Sequence, residues 1–210
     1  MTLTYNVIAG KNAERLAALS DGIFAFAMTL LVLDIPTPPA ETIHSERELL
    51  HALVALSPKL VTYIMSFLTL GIFWVGQQTQ LNHLDRSDRN LTWLHIALLC
   101  CVSIIPFSTR LLSEFVSYRI ALLEYWVNIL ALGLVLYATW GYAVRRKLLR
   151  DDISYDVTAA VCRRIIIGQS LYALGALLCV ISTKWSIAFI VTVQVYYALG
   201  LHSPWHAKDT

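Results

Sequence analysis

Arg15-Leu-Ala-Ala-Leu-Ser20-Asp21-Gly22-Ile23-Phe-Ala-Phe26-Ala-Met-Thr29-Leu30-Leu-Val-Leu33-Asp34 is an almost unbroken apolar run closed by Pro36, Pro38 and Pro39. About 20 predominantly apolar residues are what a helix needs to cross a bilayer. A lipid-exposed chain must satisfy its own backbone hydrogen bonds, so the run is expected to be helical, and the prolines stop it. Working outward, six segments read the same way: 16–35, 58–80, 91–112, 120–143, 162–182 and 185–203. The expected fold is an all-α membrane protein with six transmembrane helices, residues 1–210 forming a single unit. Between the first two spans, Glu41 to Leu56 places Leu49, Leu50 and Leu53 at helical spacing among charges, the pattern of a short amphipathic helix at the membrane surface. Ser57 before Pro58 reads as an N-cap and first helical position for the second span.

Composition agrees. The 210 residues are 57% hydrophobic and 14% charged, with mean hydropathy +0.61, against the about 25% charge of an ordinary soluble domain. Six spans with short connections use the length, leaving no separate catalytic domain. The net charge of +2 is scattered between apolar runs, which excludes nucleic acid as a partner. Cys100, Cys101, Cys162 and Cys179 show neither metal-ligand spacing nor a disulfide pattern and read as packing residues. No metal is expected. Met1 to Gly10 lacks the features of a signal peptide, so the first span is expected to be retained.

Cytoplasmic connections carry the excess of Lys and Arg. With the N-terminus inside, the inner set is Lys11, Arg15, Arg86, Arg89, Arg145, Arg146, Lys147, Arg150, Arg163, Arg164 and Lys208; the outer set is only Arg47, Lys59, Arg110, Arg119 and Lys184. Both termini are therefore expected in the cytoplasm of a multi-pass protein of the inner cell membrane. Most of the bias lies in Arg145 to Arg164, whose Asp151, Asp152 and Asp156 mark a solvated loop.

Charge inside a span costs several kcal/mol and so faces protein or water. Arg15 and Asp34 fit snorkelling at the two interfaces as well as burial; Asp21, about one and a half turns inward from Arg15, does not. Gln77 and Gln78 end the second span and His95 opens the third, at the same depth as Arg15, Ser20 and Asp21. An interhelical hydrogen-bond network would satisfy all of them. An interfacial helix end explains the glutamines equally well, and a packing histidine explains His95. Beyond Asp21, Phe26, Leu30 and Leu33 share one helix face, with Thr29 beside it and Ile23 continuing it inward. Periodicity alone does not separate helix packing from a pore lining.

At these residues Arg15-Leu-Ala-Ala-Leu-Ser-Asp-Gly22 resembles the R-x-x-x-F-S-D-G signature of the transmembrane protein 175 family of potassium channels, with Leu19 for the usual Phe. Phe73-Trp74, followed by Gln77-Gln78, sits where that family has F-W-x-x-H-H, and Leu91 to Leu112 with Ile105-Pro106-Phe107 is similar to its third span. The resemblance covers residues 15 to 115. It implies a homotetramer of six-helix subunits in the lipid bilayer, permeable to potassium ions and lacking the T-V-G-Y-G carbonyl filter. It also implies a pore lined by the first helix and narrowed by bulky apolar side chains. By position the narrowest ring is Phe26, with Leu30 and Leu33 further out, Ile23 and Thr29 along the lining and a carboxylate ring of Asp34 at the mouth. Arg15, Ser20, Asp21, Gln77, Gln78 and His95 then hold helices together. No cofactor is expected beyond the permeant ion.

The departures are Gln77 and Gln78 for two histidines, His95 for an asparagine, and Phe26 for a smaller Ile or Leu. Glutamine donates and accepts as histidine does but does not titrate, so any pH response tied to those histidines is expected to change. The alternative to a channel is a proton-coupled transporter or proton leak using Asp21 and His95. No similarity between the two halves suggests an inverted-repeat transporter. No nucleophile with a nearby base and no phosphate loop supports an enzyme or a catalytic residue.

Overall fold

The computed structural model describes residues 13–199, and within them seven α-helices. They are α1 (Ala13–Leu30), α2 (Glu46–Ala55), α3 (Ser57–Asn82), α4 (Arg89–Glu114), α5 (Arg119–Arg145), α6 (Tyr155–Leu177) and α7 (Thr183–Ala198). Short 3-10 turns extend α1 through Leu31–Asp34 and α6 through Leu178–Val180. Five of these elements are long and apolar enough to cross a membrane: Ala13–Asp34, α3, α4, α5 and Tyr155–Val180. The sixth expected span, 185–203, falls on α7, whose 16 helical residues rise about 24 Å, short of a hydrocarbon core of about 30 Å. Residues 200–203 lie outside the described residues.

Local chemistry sets the helix starts. Ser45, Asp88 and Ser154 each accept the backbone N–H three residues on, capping α2, α4 and α6. Pro106 sits inside α4, which runs through it to Glu114, as transmembrane helices tolerate. Lys147, with φ 53°, turns the chain out of α5, and the next residues clasp the end of α3 through Leu148 O to Asp85 N and Arg150 N to His83 O.

Four expectations are corrected. Ser57 is not the N-cap of α3: Leu56, already αR, continues the chain directly from α2 into α3, so Ser57 stands inside the helix. The amphipathic helix is shorter than Glu41 to Leu56, covering Glu46–Ala55, and Leu49, Leu50 and Leu53 are all exposed on it. Arg145 to Arg164 is not one solvated loop, because the Ser154 cap starts α6 at Tyr155 and puts Asp156, Arg163 and Arg164 on helix. Of the four cysteines, only Cys179 is buried; Cys100 is exposed beside α1.

The core runs through the bundle centre, where Leu70, Leu98, Val102, Ile105, Leu122, Ile129 and Leu132 are fully buried. Helices α4 and α5 form its most extensive pairing, and α1 packs on α3 and α4 at one side. Helix α1 begins at the bundle end where α3 finishes, since Ser20 meets Gln77 there. Helix α7 ends there too, its Tyr197 sharing a cavity with Gln80 and His83.

Candidate functional site

Helix α1 has two faces. Leu16, Ser20, Phe24, Ala27 and Leu31, at spacings of three and four, are buried against α3 and α4. On the other face Phe26 is 66% and Leu33 75% exposed, with Leu19 and Thr29 exposed and Ile23 and Leu30 half-buried. Large apolar side chains stand outward along the helix, and an apolar groove of about 450 Å³ runs beside them between α1 and α4. Phe26, Leu30 and Leu33 thus fall on the face that a single subunit leaves uncovered.

Two polar residues interrupt that face. The Thr29 hydroxyl donates to Phe26 O at 2.8 Å, so its proton is held by the helix while its oxygen remains free to accept. Asp34, half-buried at the far end, faces Arg110 of α4 across 4.0 Å, and Arg110 also reaches Glu114. The carboxylate is therefore balanced by an exposed cation, which weakens the field it sends into the space beyond.

At the opposite end of α1, two short hydrogen-bond chains tie the helix to its neighbours. In the buried one, Ser20 Oγ donates to Leu16 O at 2.9 Å and accepts from Gln77 Nε2 at 2.9 Å. Gln77 Nε2 also lies 3.2 Å from His95 Nδ1, joining α3 to α4, and Ser20, Gln77 and His95 are all fully buried. With the amide donating, Nδ1 is the acceptor and the imidazole proton sits on Nε2. In the outer chain, Asp21 Oδ1 accepts from both Trp74 Nε1 (2.8 Å) and Gln78 Nε2. The structure thus brings Ser20, Asp21, Gln77, Gln78 and His95 together at one depth. Arg15 lies exposed in the first turn of α1.

Trp74 completes the outer chain and was not singled out from sequence as a partner of Asp21; its signal was its place in the F-W pair four residues before Gln78. A larger omission lies at mid-bundle. The Tyr125 hydroxyl, fully buried, meets Ser66 Oγ at 3.1 Å and Thr69 Oγ1 at 3.0 Å. Thr109 Oγ1 donates to Ser66 Oγ at 2.7 Å, and Gln194 Nε2 to Thr69 Oγ1 at 2.7 Å. Four helices, α3, α4, α5 and α7, are joined by this cluster. Beside it, Ser108 Oγ donates to Glu124 Oε1 and accepts from Asn128 Nδ2. Among the described residues no group of three or more His, Cys, Asp and Glu is placed to hold a metal.

Comparison with known proteins agrees with this architecture. The family model described as endosomal/lysosomal potassium channel TMEM175 matches residues 15–106, the stretch that carries α1, the Gln77–His95 tie and Pro106. A potassium channel of Streptomyces collinus is 33% identical over 192 residues, covering 89% of this chain and 91% of that protein. The endosomal/lysosomal proton channel TMEM175 of Danio rerio is 23% identical over 199 residues, but this chain spans only 37% of it. The crystal structure of a lysosomal potassium-selective channel TMEM175 homolog from Chamaesiphon minutus superposes with a TM-score of 0.76 at 27% identity, covering 91% of this chain and 98% of that one. The resemblance drawn from residues 15 to 115 is borne out: the chain belongs to the TMEM175 potassium channel family and is a multi-pass membrane protein of an ion-channel family, not an enzyme.

Proposed function

We propose that the chain forms a potassium-permeable channel, a homotetramer in the inner cell membrane, with six spans per subunit, both termini cytoplasmic and a pore lined by α1. The single observation that carries this reading is the outward apolar face of α1, with Phe26 and Leu33 exposed on a helix whose other face is packed on α3 and α4 and which is hydrogen-bonded to α3. Around a fourfold axis that face makes apolar rings at Phe26, Leu30 and Leu33, which exclude water and gate by dewetting, with Phe26 the narrowest. Ile23 continues the lining inward. Thr29 Oγ1 offers an acceptor to a partly dehydrated cation, and Asp34, tempered by Arg110, lies near the outer mouth. Arg15, Ser20, Asp21, Gln77, Gln78 and His95 hold α1 in place. The sequence has no T-V-G-Y-G filter, and the reading calls for no cofactor.

Exchange of Phe26 tests it. In planar bilayers Phe26→Ala is expected to pass clearly more potassium current than the parent channel; equal or smaller current would count against that ring as the gate.

The second reading is proton permeation through Asp21 and His95. Its support is the Danio rerio relative, which is named a proton channel, and a fully buried His95 whose Nε2 has no partner among the described residues. The two groups, however, sit on separate hydrogen-bond chains, Asp21 with Trp74 and Gln78 and His95 with Gln77 and Ser20. Proton flux that falls on Asp21→Asn and on His95→Asn, with potassium flux unchanged, would favour it.

A further inference from the structure

Where α4 begins and α5 ends, the two helices leave an open notch of about 490 Å³, lined by Arg89, Asn90, Trp93, Leu94 and Tyr142. It shares no residue with the apolar groove beside α1. Arg89 and Trp93, four residues apart, stand on one face of α4. Tyr142 is held in place from both helices. Asn90 Nδ2 donates to Tyr142 Oη at 3.2 Å, and Tyr142 Oη donates to Asp88 Oδ2 at 2.8 Å. Asp88 Oδ1 accepts from Leu91 N at 2.8 Å, so this carboxylate, which does not line the notch, has both oxygens engaged. Arg146 is not part of the lining either, but its Cζ stands 5.7 Å from the centroid of the Tyr142 ring, which is, and its Nε donates to Tyr142 Oη at 3.4 Å.

Depth and charge give the notch its character. Helix α4 has 26 residues and α5 has 27, rising about 39 and 40 Å, so their last turns stand beyond a hydrocarbon core of about 30 Å and among headgroups. Arg89 and Arg146 are both exposed there. Trp93, one turn further in and 58% exposed, lies where indoles gather at the membrane boundary. The notch therefore has a cationic end toward water and an aromatic, apolar end toward the bilayer. Its surroundings are basic. Arg86, Arg89, Arg145, Arg146 and Lys147 are the cations of 85–89 and 145–147, against Asp85 and Asp88. The next residues add Arg150, Asp151 and Asp152, of which Arg150 and Asp152 pair at 3.2 Å.

We propose that the notch between the start of α4 and the end of α5 is a site for a bilayer phospholipid of net negative charge. The phosphodiester meets the guanidiniums of Arg89 and Arg146, and the glycerol and first methylenes pack on Trp93 and Leu94. Guanidinium pairs with phosphate through charge-assisted hydrogen bonds, and basic pockets between helix ends are where anionic headgroups bind membrane proteins. A zwitterionic lipid carries the same phosphate, but its ammonium group is repelled by the two arginines. A soluble phosphate would satisfy the cations and leave the indole uncovered, so the exposed Trp93 beside Arg89 is what selects a lipid.

The test is native mass spectrometry of the full-length protein in mild detergent, titrated with phosphatidylglycerol and phosphatidylcholine of one chain length. Phosphatidylglycerol is expected to be retained about 25-fold better, because each basic residue near a headgroup is worth about fivefold. Arg89→Gln and Arg146→Gln are each expected to lower that ratio about fivefold, and the double variant to bring it close to one. Arg163→Gln/Arg164→Gln removes the same charge from α6 and is expected to leave the ratio unchanged. Circular dichroism of every variant is checked against the parent. Glycerol 3-phosphate in excess is expected not to displace the lipid. Equal retention of the two lipids by the parent, an undiminished ratio in the folded double variant, an equal loss on the α6 exchange, or displacement by glycerol 3-phosphate would each overturn the proposal.

Discussion

Gln77 shows how one side chain sets the position of the helix that carries the proposed gate. Its amide reaches Ser20 on α1 and His95 on α4 from fully buried ground, so no water replaces it. Gln77→Leu leaves His95 Nδ1 unpaired and takes from Ser20 Oγ the donor it accepts from, while Ser20 keeps Leu16 O; it is expected to cost about 1 kcal/mol, between the average of about 0.6 and the maximum of about 1.7 for interhelical hydrogen bonds in membranes. The thermal unfolding midpoint in detergent should fall accordingly. Trp74→Phe should cost less, because Asp21 is partly exposed and keeps Gln78. These residues were legible because polar side chains in apolar runs must find each other. Trp74 was not, since an indole counts as apolar until its N–H is given a partner. The hydroxyl cluster at Tyr125 was equally hidden: single Ser and Thr residues on four helices carry no periodic signal, and most such hydroxyls bond their own helix. Tyr125→Phe is expected to lower the same midpoint by a similar amount, with the apolar packing of the ring retained.

Helix ends were legible wherever a cap or a proline marks them and not where the chain passes smoothly from one helix to the next. Asp88 announces α4 and the prolines after Asp34 close α1, but Leu56 carries α2 into α3 with no break for Ser57 to cap. Helix α6 starts seven residues before the expected span 162–182, because Asp151, Asp152 and Asp156 read as a solvated loop; helical residues before a span need not be apolar when they stand in water or at the interface. Close helix contacts were not legible at all. At Gly133 on α5, a Cβ would lie 1.9 Å from Gln169 Nε2 and 2.2 Å from its Cδ, so α6 approaches there only because the side chain is missing. Gly133→Ala is expected to push Gln169 from Ile129 O and cost about 1–3 kcal/mol by overpacking, read as reduced thermal stability. Gly141, with nothing within 4 Å of its Cβ, should accept alanine without loss.

Across the whole molecule, the outward face of α1 is the surface that the proposed tetramer would cover. A single subunit buries Phe24 and Leu31 on α1 yet leaves Phe26 and Leu33 outward, an arrangement that wastes apolar surface unless α1 meets a symmetric partner or lipid. Sequence could rank the residues of that face but not orient it, because a 3.6-residue stripe is the same for packing and for pore lining. The proposed tetramer places Asp34 and Arg110 at the outer mouth, where their fields nearly cancel. Arg110→Gln should therefore raise potassium conductance at low ionic strength and have little effect at high salt. The most direct test of the channel reading is potassium efflux from liposomes holding the purified protein, with sodium and pH gradients absent, compared between the parent and Phe26→Ala. Efflux that needs no coupled ion and rises on Phe26→Ala is expected; efflux that appears only when a pH gradient is imposed would contradict the pore and move Asp21 and His95 to its centre.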